Sequence, residues 1–303
     1  MQDNLLEKAR KLNNTGAWYE AEDDLNNALA NYKEAFEVYS ELNDLEGKAI
    51  ALNNMGNIYK KIGKLDEALK VFNESLKIAE DLKDLRGKAT RLNNIGVIYQ
   101  TKGELNKALD VFKESLTIAE KLNDPRLSSI CLNNNGMIYQ AIGELDKALK
   151  NYNNALKIDE KLKNELGKTL RLNNIGRIYQ AKKEHDKALD YYKKSLKIAK
   201  DLDEKHLIAT RLNNIGTTLR VKGELDKAFE NFEAALKIDE ELKDEYGKAT
   251  RLNNIGGILK DKGEFKKALN YWEKAEKIFK KLGQKKEIDT VSKNIAIIKE
   301  QIS

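Results

Sequence analysis

Residues 85–124 read LRGKATRLNNIGVIYQTKGELNKALDVFKESLTIAEKLND, and similar stretches of 40 residues follow one another along most of the chain. The clearest mark of the period is the dipeptide Asn-Asn. It recurs at 40-residue intervals without an insertion or deletion, at 13–14, 53–54, 93–94, 133–134, 173–174, 213–214 and 253–254. An unbroken period of this length predicts tandem repeats, each packing mainly on its neighbours.

Each repeat holds two stretches with apolar residues at helical spacing. Leu92, Ile95 and Tyr99 share one face of the first stretch, and Leu105 and Phe112 belong to such a face in the second. The segment Lys-Gly-Glu between them contains a glycine, which readily takes the left-handed conformation that ends a helix. We therefore predict a helix-turn-helix unit whose two amphipathic helices bury their apolar faces by stacking on the next unit.

A glycine two residues after each Asn pair lies inside the first helix, where it costs about 1 kcal/mol relative to alanine. Its recurrence in all seven repeats predicts a close approach of the two helices, with Ala108 or Ser115 facing Gly96. An Asp or Asn just before a helix is typical of an N-cap. We assign that role to Asp44, Asp84, Asp124, Asn164 and Asp244, with Pro125 at the first helical position after Asp124.

The period divides the chain into seven repeats and one additional helix. The predicted boundaries are 7–44, 45–84, 85–124, 125–164, 165–204, 205–244 and 245–284, with a capping helix at 286–302. The capping helix carries an apolar stripe from Ile288 to Ile302, and a polar outer face suits the end of a repeat array. We predict fifteen helices, no sheet, and a single domain over residues 1–303.

Composition argues against several other classes of protein. Charged residues make up 34% of the chain and there is one proline, which disfavours a turn-rich sandwich or barrel. No apolar run approaches the roughly 20 residues of a membrane helix, and the N-terminal residues lack the apolar stretch of a signal peptide. Cys131 is the single cysteine, so no intramolecular disulfide forms. These features favour a cytoplasmic protein that does not bind membranes.

No catalytic or metal-binding pattern emerges. The two histidines, His185 and His206, have no nucleophile or acidic partner at a meaningful spacing, and metal-ligand spacing is absent. The triplet 167–169, Gly-Lys-Thr, resembles the end of a phosphate-binding loop, but the glycine that such a loop needs five residues earlier is Leu162. We expect a non-enzymatic protein without a cofactor.

The repeat resembles the tetratricopeptide repeat family in its 40-residue variant. The family pattern appears as Leu92, Ile95-Gly96, Tyr99, Ala108, Phe112 and Ser115. It is similar to repeats of the Leu-Gly-Asn spindle-orientation adaptors, kinesin light chains and many prokaryotic signalling proteins. The resemblance covers residues 7–302. It implies an all-α, right-handed superhelical solenoid whose first helices line the concave surface, and the motif is far more specific for fold than for function.

The arc of the first helix opposite its apolar face is the predicted peptide-binding groove. The side chains at the Val97 and Gln100 positions vary among repeats, whereas the two Asn positions do not. A carboxamide offers donors and an acceptor, so the Asn rows suit the backbone of an extended peptide, and the resemblance implies a peptide contact at the Asn94 position. The alternative, that one row bonds to the adjacent first helix and sets the superhelical pitch, stays open. The predicted sites are Asn53, Asn54, Asn93, Asn94, Asn133, Asn134, Asn173, Asn174, Asn213, Asn214, Asn253 and Asn254.

Positive charge is concentrated in the first helices. Their seven segments, 8–21 and its equivalents, hold 16 Lys or Arg residues against two acidic residues, although the whole chain carries only +6. A basic groove favours an acidic partner segment. The alternative is that the Arg91 row lies at the edge between adjacent repeats. The predicted groove arginines are Arg91, Arg171, Arg177, Arg211, Arg220 and Arg251.

We therefore predict a protein-protein interaction scaffold that binds an extended, acidic peptide segment. Two alternatives are kept: nucleic-acid binding through the same basic groove, and a peptide-sensing signalling regulator. Single-stranded nucleic acids are usually held by bases stacking on aromatic side chains. The groove positions of the seven repeats contain no Phe, Tyr or Trp, which favours a protein or peptide partner.

Overall fold

The computed structural model of the chain describes residues 2–302, and all of its regular structure in that range is α-helical. The predicted fifteen helices and the absence of a sheet are confirmed for these residues. Three residues separate each helix from the next. The helices are α1 (Gln2–Ala21), α2 (Leu25–Glu41), α3 (Leu45–Lys61), α4 (Leu65–Asp81), α5 (Leu85–Thr101), α6 (Leu105–Lys121), α7 (Pro125–Ala141), α8 (Leu145–Lys161), α9 (Glu165–Ala181), α10 (His185–Asp201), α11 (Lys205–Val221), α12 (Leu225–Glu241), α13 (Glu245–Asp261), α14 (Phe265–Lys281) and α15 (Lys285–Ile302).

The helices are grouped into two compact units, Met1–Ile158 and Asp159–Ser303. In the first unit α1 packs on α2, α3 on α4 and α5 on α6, and the second helix of each pair contacts the first helix of the next. The second unit repeats this order from α9 to α14, and α15 packs on α14. That the seven repeats form one domain over the whole chain stays a prediction.

The glycine of each first helix lies against an aromatic ring of the second helix. A Cβ atom on Gly96 would come within 2.5 Å of Phe112 Cε1. The close approach was predicted, but the facing residue is Phe112 and not Ala108 or Ser115. The other six repeats place a Phe, Tyr or Trp ring against the equivalent glycine. The ring fills the volume that a side chain would need, which explains why glycine recurs here despite its helix propensity.

The helix ends follow the predicted local chemistry. The side chain of Asp84 accepts a hydrogen bond from the backbone N–H of Gly87 at 2.8 Å, and Asp44, Asp124, Asn164 and Asp244 cap their helices in the same way. Pro125 begins α7. Gly103, in the turn between the paired helices, has φ +78°, and Lys183 takes the same left-handed conformation with φ +62°.

The buried apolar surface lies between and within the helix pairs. Ala108 and Phe112 are fully buried, and each repeat has a buried alanine and a buried aromatic residue at the equivalent positions. Within residues 2–302, no helix combines the length and the apolar character needed to cross a membrane.

Candidate functional site

The two side chains of each Asn-Asn pair, which recur in every repeat, form one hydrogen-bonded row along the first helices of each unit. We call this row the asparagine ladder. The second Asn of one repeat donates from Nδ2 to Oδ1 of the first Asn of the preceding repeat. In the first unit the donor–acceptor distances are 3.1 Å for Asn54–Asn13, 2.9 Å for Asn94–Asn53 and 2.8 Å for Asn134–Asn93. In the second unit they are 2.9 Å for Asn214–Asn173 and 2.8 Å for Asn254–Asn213.

The ladder therefore connects neighbouring first helices. This agrees with the alternative given above, that Asn side chains bond to the adjacent first helix. Neighbouring helices α3 and α5, for example, are joined by the bond between Asn53 and Asn94. Such a bond fixes the spacing and register of two helices that otherwise contact each other little, since most of their packing is with second helices. Sequence reasoning assigned this bonding to one row, whereas the structure uses both rows in every bond.

The ladder side chains also keep a surface that faces solvent. Asn53, Asn54, Asn93 and Asn94 are each half-buried. A carboxamide has two N–H donors and an oxygen acceptor, and a ladder bond occupies only one of these on each side chain. An extended chain lying on this face would therefore meet amide groups whose orientation is already fixed.

The ladder does not continue into α15. Asn253 Oδ1 is buried and has no hydrogen-bond partner among residues 2–302. Asn294, which the sequence places in the same row, is half-buried and does not donate to it. The geometry of the ladder thus ends with the last true repeat of the second unit.

Arg91, Arg171, Arg211 and Arg251 occupy one equivalent position of the first helices, and we call them the arginine row. Their side chains lie between the repeats and away from the asparagine ladder. Arg211 is only 2% exposed; its Nε donates to Ser195 Oγ at 2.8 Å and Nη2 lies 3.5 Å from the Thr169 carbonyl oxygen. Burial lowers the pKa of Arg211 to about 10, which still leaves it charged at neutral pH. Arg91, which is half-buried, donates in the same way to Ser75 Oγ at 2.9 Å.

The other two members of the row are buried against carboxylates. Arg171 Nε lies 3.2 Å from Asp159 Oδ2, and Arg251 Nε lies 3.1 Å from Asp239 Oδ2. Burial lowers the pKa of Arg251 and raises that of Asp239, although the two groups face each other. Desolvation is thus the larger effect on both groups, and in a buried pair it can exceed the mutual attraction. Because these guanidinium groups are buried and already paired within the protein, they are not accessible to a partner protein.

A signal for these contacts is present in the sequence and sequence reasoning missed it. Where the arginine row carries a polar residue, the preceding second helix carries either a Ser 16 residues earlier or an Asp 12 residues earlier. Arg91, Cys131 and Arg211 follow Ser75, Ser115 and Ser195, whereas Arg171 and Arg251 follow Asp159 and Asp239. The two helix positions vary together because they meet at the junction between repeats.

Arg177 and Arg220 lie on the arc of the first helices that was predicted as the peptide-binding groove, beside the asparagine ladder. We call this arc the ladder face. The two arginines differ in their surroundings. Arg177 is exposed. Arg220 is half-buried; its Nε donates to Asp261 Oδ2 at 2.6 Å and its Nη2 to the Gly257 carbonyl oxygen at 3.2 Å. A Cβ atom at position 257 would lie 2.5 Å from Arg220 Nη1, so the glycine there makes room for this arginine.

Much of the positive charge of the first helices is balanced locally. Lys88 Nζ lies 2.9 Å from both Glu80 Oε1 and Glu114 Oε1, on the second helices at either side. Lys248 pairs with Glu240 at 2.9 Å in the same manner. The net count of the sequence therefore overstates the positive potential of the ladder face, because many of these side chains point between the repeats.

The two histidines differ in their surroundings, and His206 is exposed at the start of α11. His185 is half-buried at the start of α10, and its Nδ1 is buried without a hydrogen-bond partner among the described residues. Over residues 2–302 no three His, Cys, Asp or Glu side chains are grouped as they would be around a metal ion. Cys131 is fully buried beside Ser115 Oγ, 3.1 Å from its Sγ, and burial raises the pKa of its thiol.

The sequence matches a known repeat family over most of its length. The family model described as "Tetratricopeptide repeat" matches residues 7–81, 48–121, 127–201 and 207–281. No curated protein sequence matches the chain significantly.

Several solved structures have a similar fold. The apo form of RapI is 19% identical with a TM-score of 0.74, over 91% of this chain and 99% of its own. BtubC from P. vanneervenii is 24% identical with a TM-score of 0.65, over 72% and 92%. A Rap protein complexed with Competence and Sporulation Factor is 14% identical with a TM-score of 0.61, over 99% of both chains. At such identities the likeness concerns the fold alone.

Proposed function

The chain belongs to the tetratricopeptide repeat family, and on that basis we propose that it is a non-enzymatic interaction scaffold whose ladder face binds an extended peptide segment of a partner protein. The observation that carries the proposal is the asparagine ladder. Its amides repeat along the first helices of each unit at a fixed register. All of the bonded amides except Asn173, which is buried, are half-buried and keep hydrogen-bonding capacity beyond the ladder bond.

The peptide backbone is the feature that such a ladder suits. A partner in extended conformation presents N–H and C=O groups at regular intervals, and amide side chains bond to both without reading the partner's side chains. Preorganised donors and acceptors lose little conformational entropy on binding, because the bonds between Asn53 and Asn94 and their equivalents already hold them. Selectivity then comes from the variable positions beside the ladder, such as Val97, Met137 and Arg177.

An acidic preference rests on the exposed cations of this face and not on the buried arginine row. Arg177 is exposed, and Lys60 and Lys260 are half-buried at positions equivalent to Gln100. Burial, and after it the charge of Lys61, lowers the pKa of Lys60, so an incoming carboxylate there would gain by pairing with it. We propose a modest preference for acidic segments, carried by these side chains.

The fold neighbours support a regulator or scaffold more than a nucleic-acid binder. A chain with this fold has been solved in complex with Competence and Sporulation Factor, and RapI has the same fold in its apo form. Together with the lack of aromatic side chains at the positions of the ladder face, this favours a peptide ligand.

Selection from a display library of short linear peptides, followed by fluorescence anisotropy with the selected peptide, tests the proposal. We expect a peptide whose N-methylated form loses about tenfold or more in affinity, because methylation removes the backbone N–H groups that the ladder would bind. This comparison leaves the ladder of the protein intact. Binding that survives N-methylation unchanged, or a single-stranded oligonucleotide that binds more tightly than the peptide, would overturn it.

A pair of variants in the fifth repeat tests the charge preference. Arg177→Glu changes an exposed side chain of the ladder face, and Lys197→Glu changes an exposed side chain of the second helix of the same repeat. We expect only Arg177→Glu to weaken an acidic peptide, with a smaller effect at high salt. Equal effects of both variants would show that binding responds to net charge and not to this face.

A further inference from the structure

An open notch of about 500 Å³ lies in the second unit, where α10, α11 and α12 meet. Leu189, Ile215 and Leu219 line it and are themselves buried. The exposed side chains of Lys193 and Lys227 lie at its rim. None of the residues that line the notch belongs to the asparagine ladder, so it is a separate feature of the surface.

The notch coincides with the loss of a recurrent aromatic ring. The first five repeats carry a tyrosine at the position equivalent to Leu219, namely Tyr19, Tyr59, Tyr99, Tyr139 and Tyr179. The seventh repeat also has a leucine, Leu259, but there Phe229 of the preceding second helix, α12, supplies a ring, which lies 5.7 Å from the ammonium group of Lys262 just after α13. For the sixth repeat the equivalent residue of the preceding second helix, α10, is Leu189. The sixth repeat alone therefore lacks the ring without a replacement.

The fourth repeat shows what this environment holds when the ring is present. Tyr139 packs against the cluster that contains Leu109. The ammonium groups of Lys113 and Lys147 lie 5.9 Å and 5.7 Å from the centre of its ring. Both lysines are thus at the distance of a cation–π interaction, in which an ammonium group is attracted to the electron-rich face of the ring.

The notch keeps this environment without the tyrosine. Two repeats after Lys113, Lys147, Leu109 and Asn151, the chain has Lys193, Lys227, Leu189 and Asn231. All four of these later residues line the notch. Leu219 in place of tyrosine accordingly leaves an apolar floor with Lys193 and Lys227 at its rim, among the carboxylates of Asp186, Asp190, Glu224 and Glu230. Lys227 Nζ lies 2.8 Å from Glu224, as Lys147 lies 3.3 Å from Glu144 in the fourth repeat, where the ion pair leaves the ammonium group 5.7 Å from the centre of the Tyr139 ring. The floor and these lysines therefore suit an aromatic ring.

We propose that the notch binds a tyrosine side chain presented by a partner protein. The ring would lie on Leu189, Ile215 and Leu219, with its faces toward the ammonium groups of Lys193 and Lys227. The notch opens to solvent at its exposed rim, so a ring attached to a polypeptide backbone can enter it. The junction of α10, α11 and α12 thus offers a binding site in addition to the ladder face.

The test is a titration of the protein, labelled with ¹³C in its Ile and Leu methyl groups, followed by NMR. The ligands are p-cresol and a capped pentapeptide of glycine and serine with one central tyrosine, and the control peptide has leucine in place of the tyrosine. We expect saturable shifts of the methyl signals of Leu189, Ile215 and Leu219 with the first two ligands. We expect at least about tenfold weaker binding of the leucine peptide.

Two variants close the notch with residues that the chain itself uses. Leu219→Tyr restores the tyrosine of the first five repeats, and Leu189→Phe copies Phe229 of α12. Each should abolish the shifts, and circular dichroism should show unchanged helicity in at least one of them. Replacing both Lys193 and Lys227 with Met should weaken the tyrosine peptide several-fold while the notch stays open.

Five results would overturn the proposal. The tyrosine peptide produces no shift, the leucine peptide binds as tightly, or the shifts persist when the notch is closed. The fourth is p-cresol binding without peptide binding, which would make the notch a site for a free phenol. Self-association that Leu219→Tyr abolishes would identify a second copy of this chain as the occupant and would likewise overturn it.

Discussion

The buried pair of Asp239 and Arg251 gives the sharpest test of how neighbouring repeats are joined. Asp239 is 1% and Arg251 8% exposed, and the two charged atoms lie 3.1 Å apart. Asp239→Ala leaves the guanidinium buried without its counter-charge, and breaking a buried pair from one side costs about 3–5 kcal/mol. We expect the lower end of this range, because burial raises the pKa of Asp239 and the intact pair already bears a desolvation cost.

The chain supplies a matched control for this variant. At the junction where Ser195 precedes Arg211, the serine Oγ accepts from Nε of the arginine at 2.8 Å, and no carboxylate is needed. Adding Ala235→Ser to Asp239→Ala copies that junction and gives Arg251 a neutral acceptor. We expect the double variant to recover most of the loss and to lie within about 1–2 kcal/mol of the wild type.

The measurement is urea unfolding followed by far-UV circular dichroism, with native-state hydrogen exchange of the amides in α13. Exchange is needed because repeat arrays can open one part at a time, so a global midpoint can understate a local loss. A cost below about 1 kcal/mol for Asp239→Ala, or a double variant no more stable than the single one, would show that this pair does not stabilise the junction between the repeats.

Three further predictions follow from the packing and the helix ends. Gly96→Ala should lower the free energy of unfolding by about 1–3 kcal/mol, and with it the thermal midpoint, because the new methyl group overlaps the ring of Phe112. A higher midpoint would show that the better helix propensity of alanine outweighs this overlap. Lys183→Gly combined with His185→Leu should raise the midpoint, because the first relieves a positive φ and the second removes a buried unpaired nitrogen; no rise would mean that these residues serve another role. Asp124→Asn keeps the helix cap but loses the ion pair with Arg86 of α5. The hydrogen bond from that arginine, and then the one from the backbone of α7, lower the pKa of Asp124, so its stabilisation is present above about pH 4 and lost as the pH falls through the folded-state pKa. Acid unfolding curves of the wild type and this variant should therefore differ in slope, and parallel curves would contradict the assignment.

The pattern of residues along the chain was enough to predict the repeat, its two helices and their ends. These features depend on interactions between residues close in the chain. The spacing of Leu92, Ile95 and Tyr99 follows from the pitch of a helix, the caps at Asp44 and its equivalents bond three residues ahead, and the turn glycines respond to their own backbone conformation. A 40-residue period repeats this local information seven times, which is why the fold class was predictable.

Which residue each side chain contacts in another helix depends on three-dimensional packing. Whether Gly96 faces Ala108, Ser115 or Phe112 depends on the rotation of one helix against the other, which helical periodicity does not fix. The same holds for the ladder, whose bonds join residues 41 positions apart, and for Arg211, which meets a serine 16 residues earlier.

Two features could not be predicted from the sequence for this reason: the charge of the ladder face and the presence of the notch. A count of Lys and Arg cannot separate Arg177, which is exposed, from Arg211, which is buried, because both lie on first helices and differ only in the direction of the side chain. Leu219 reads in the sequence as an ordinary apolar residue of the core. Only packing against α10 and α12 shows that it leaves a volume unfilled, since an unfilled volume is a property of several helices together and of no single one.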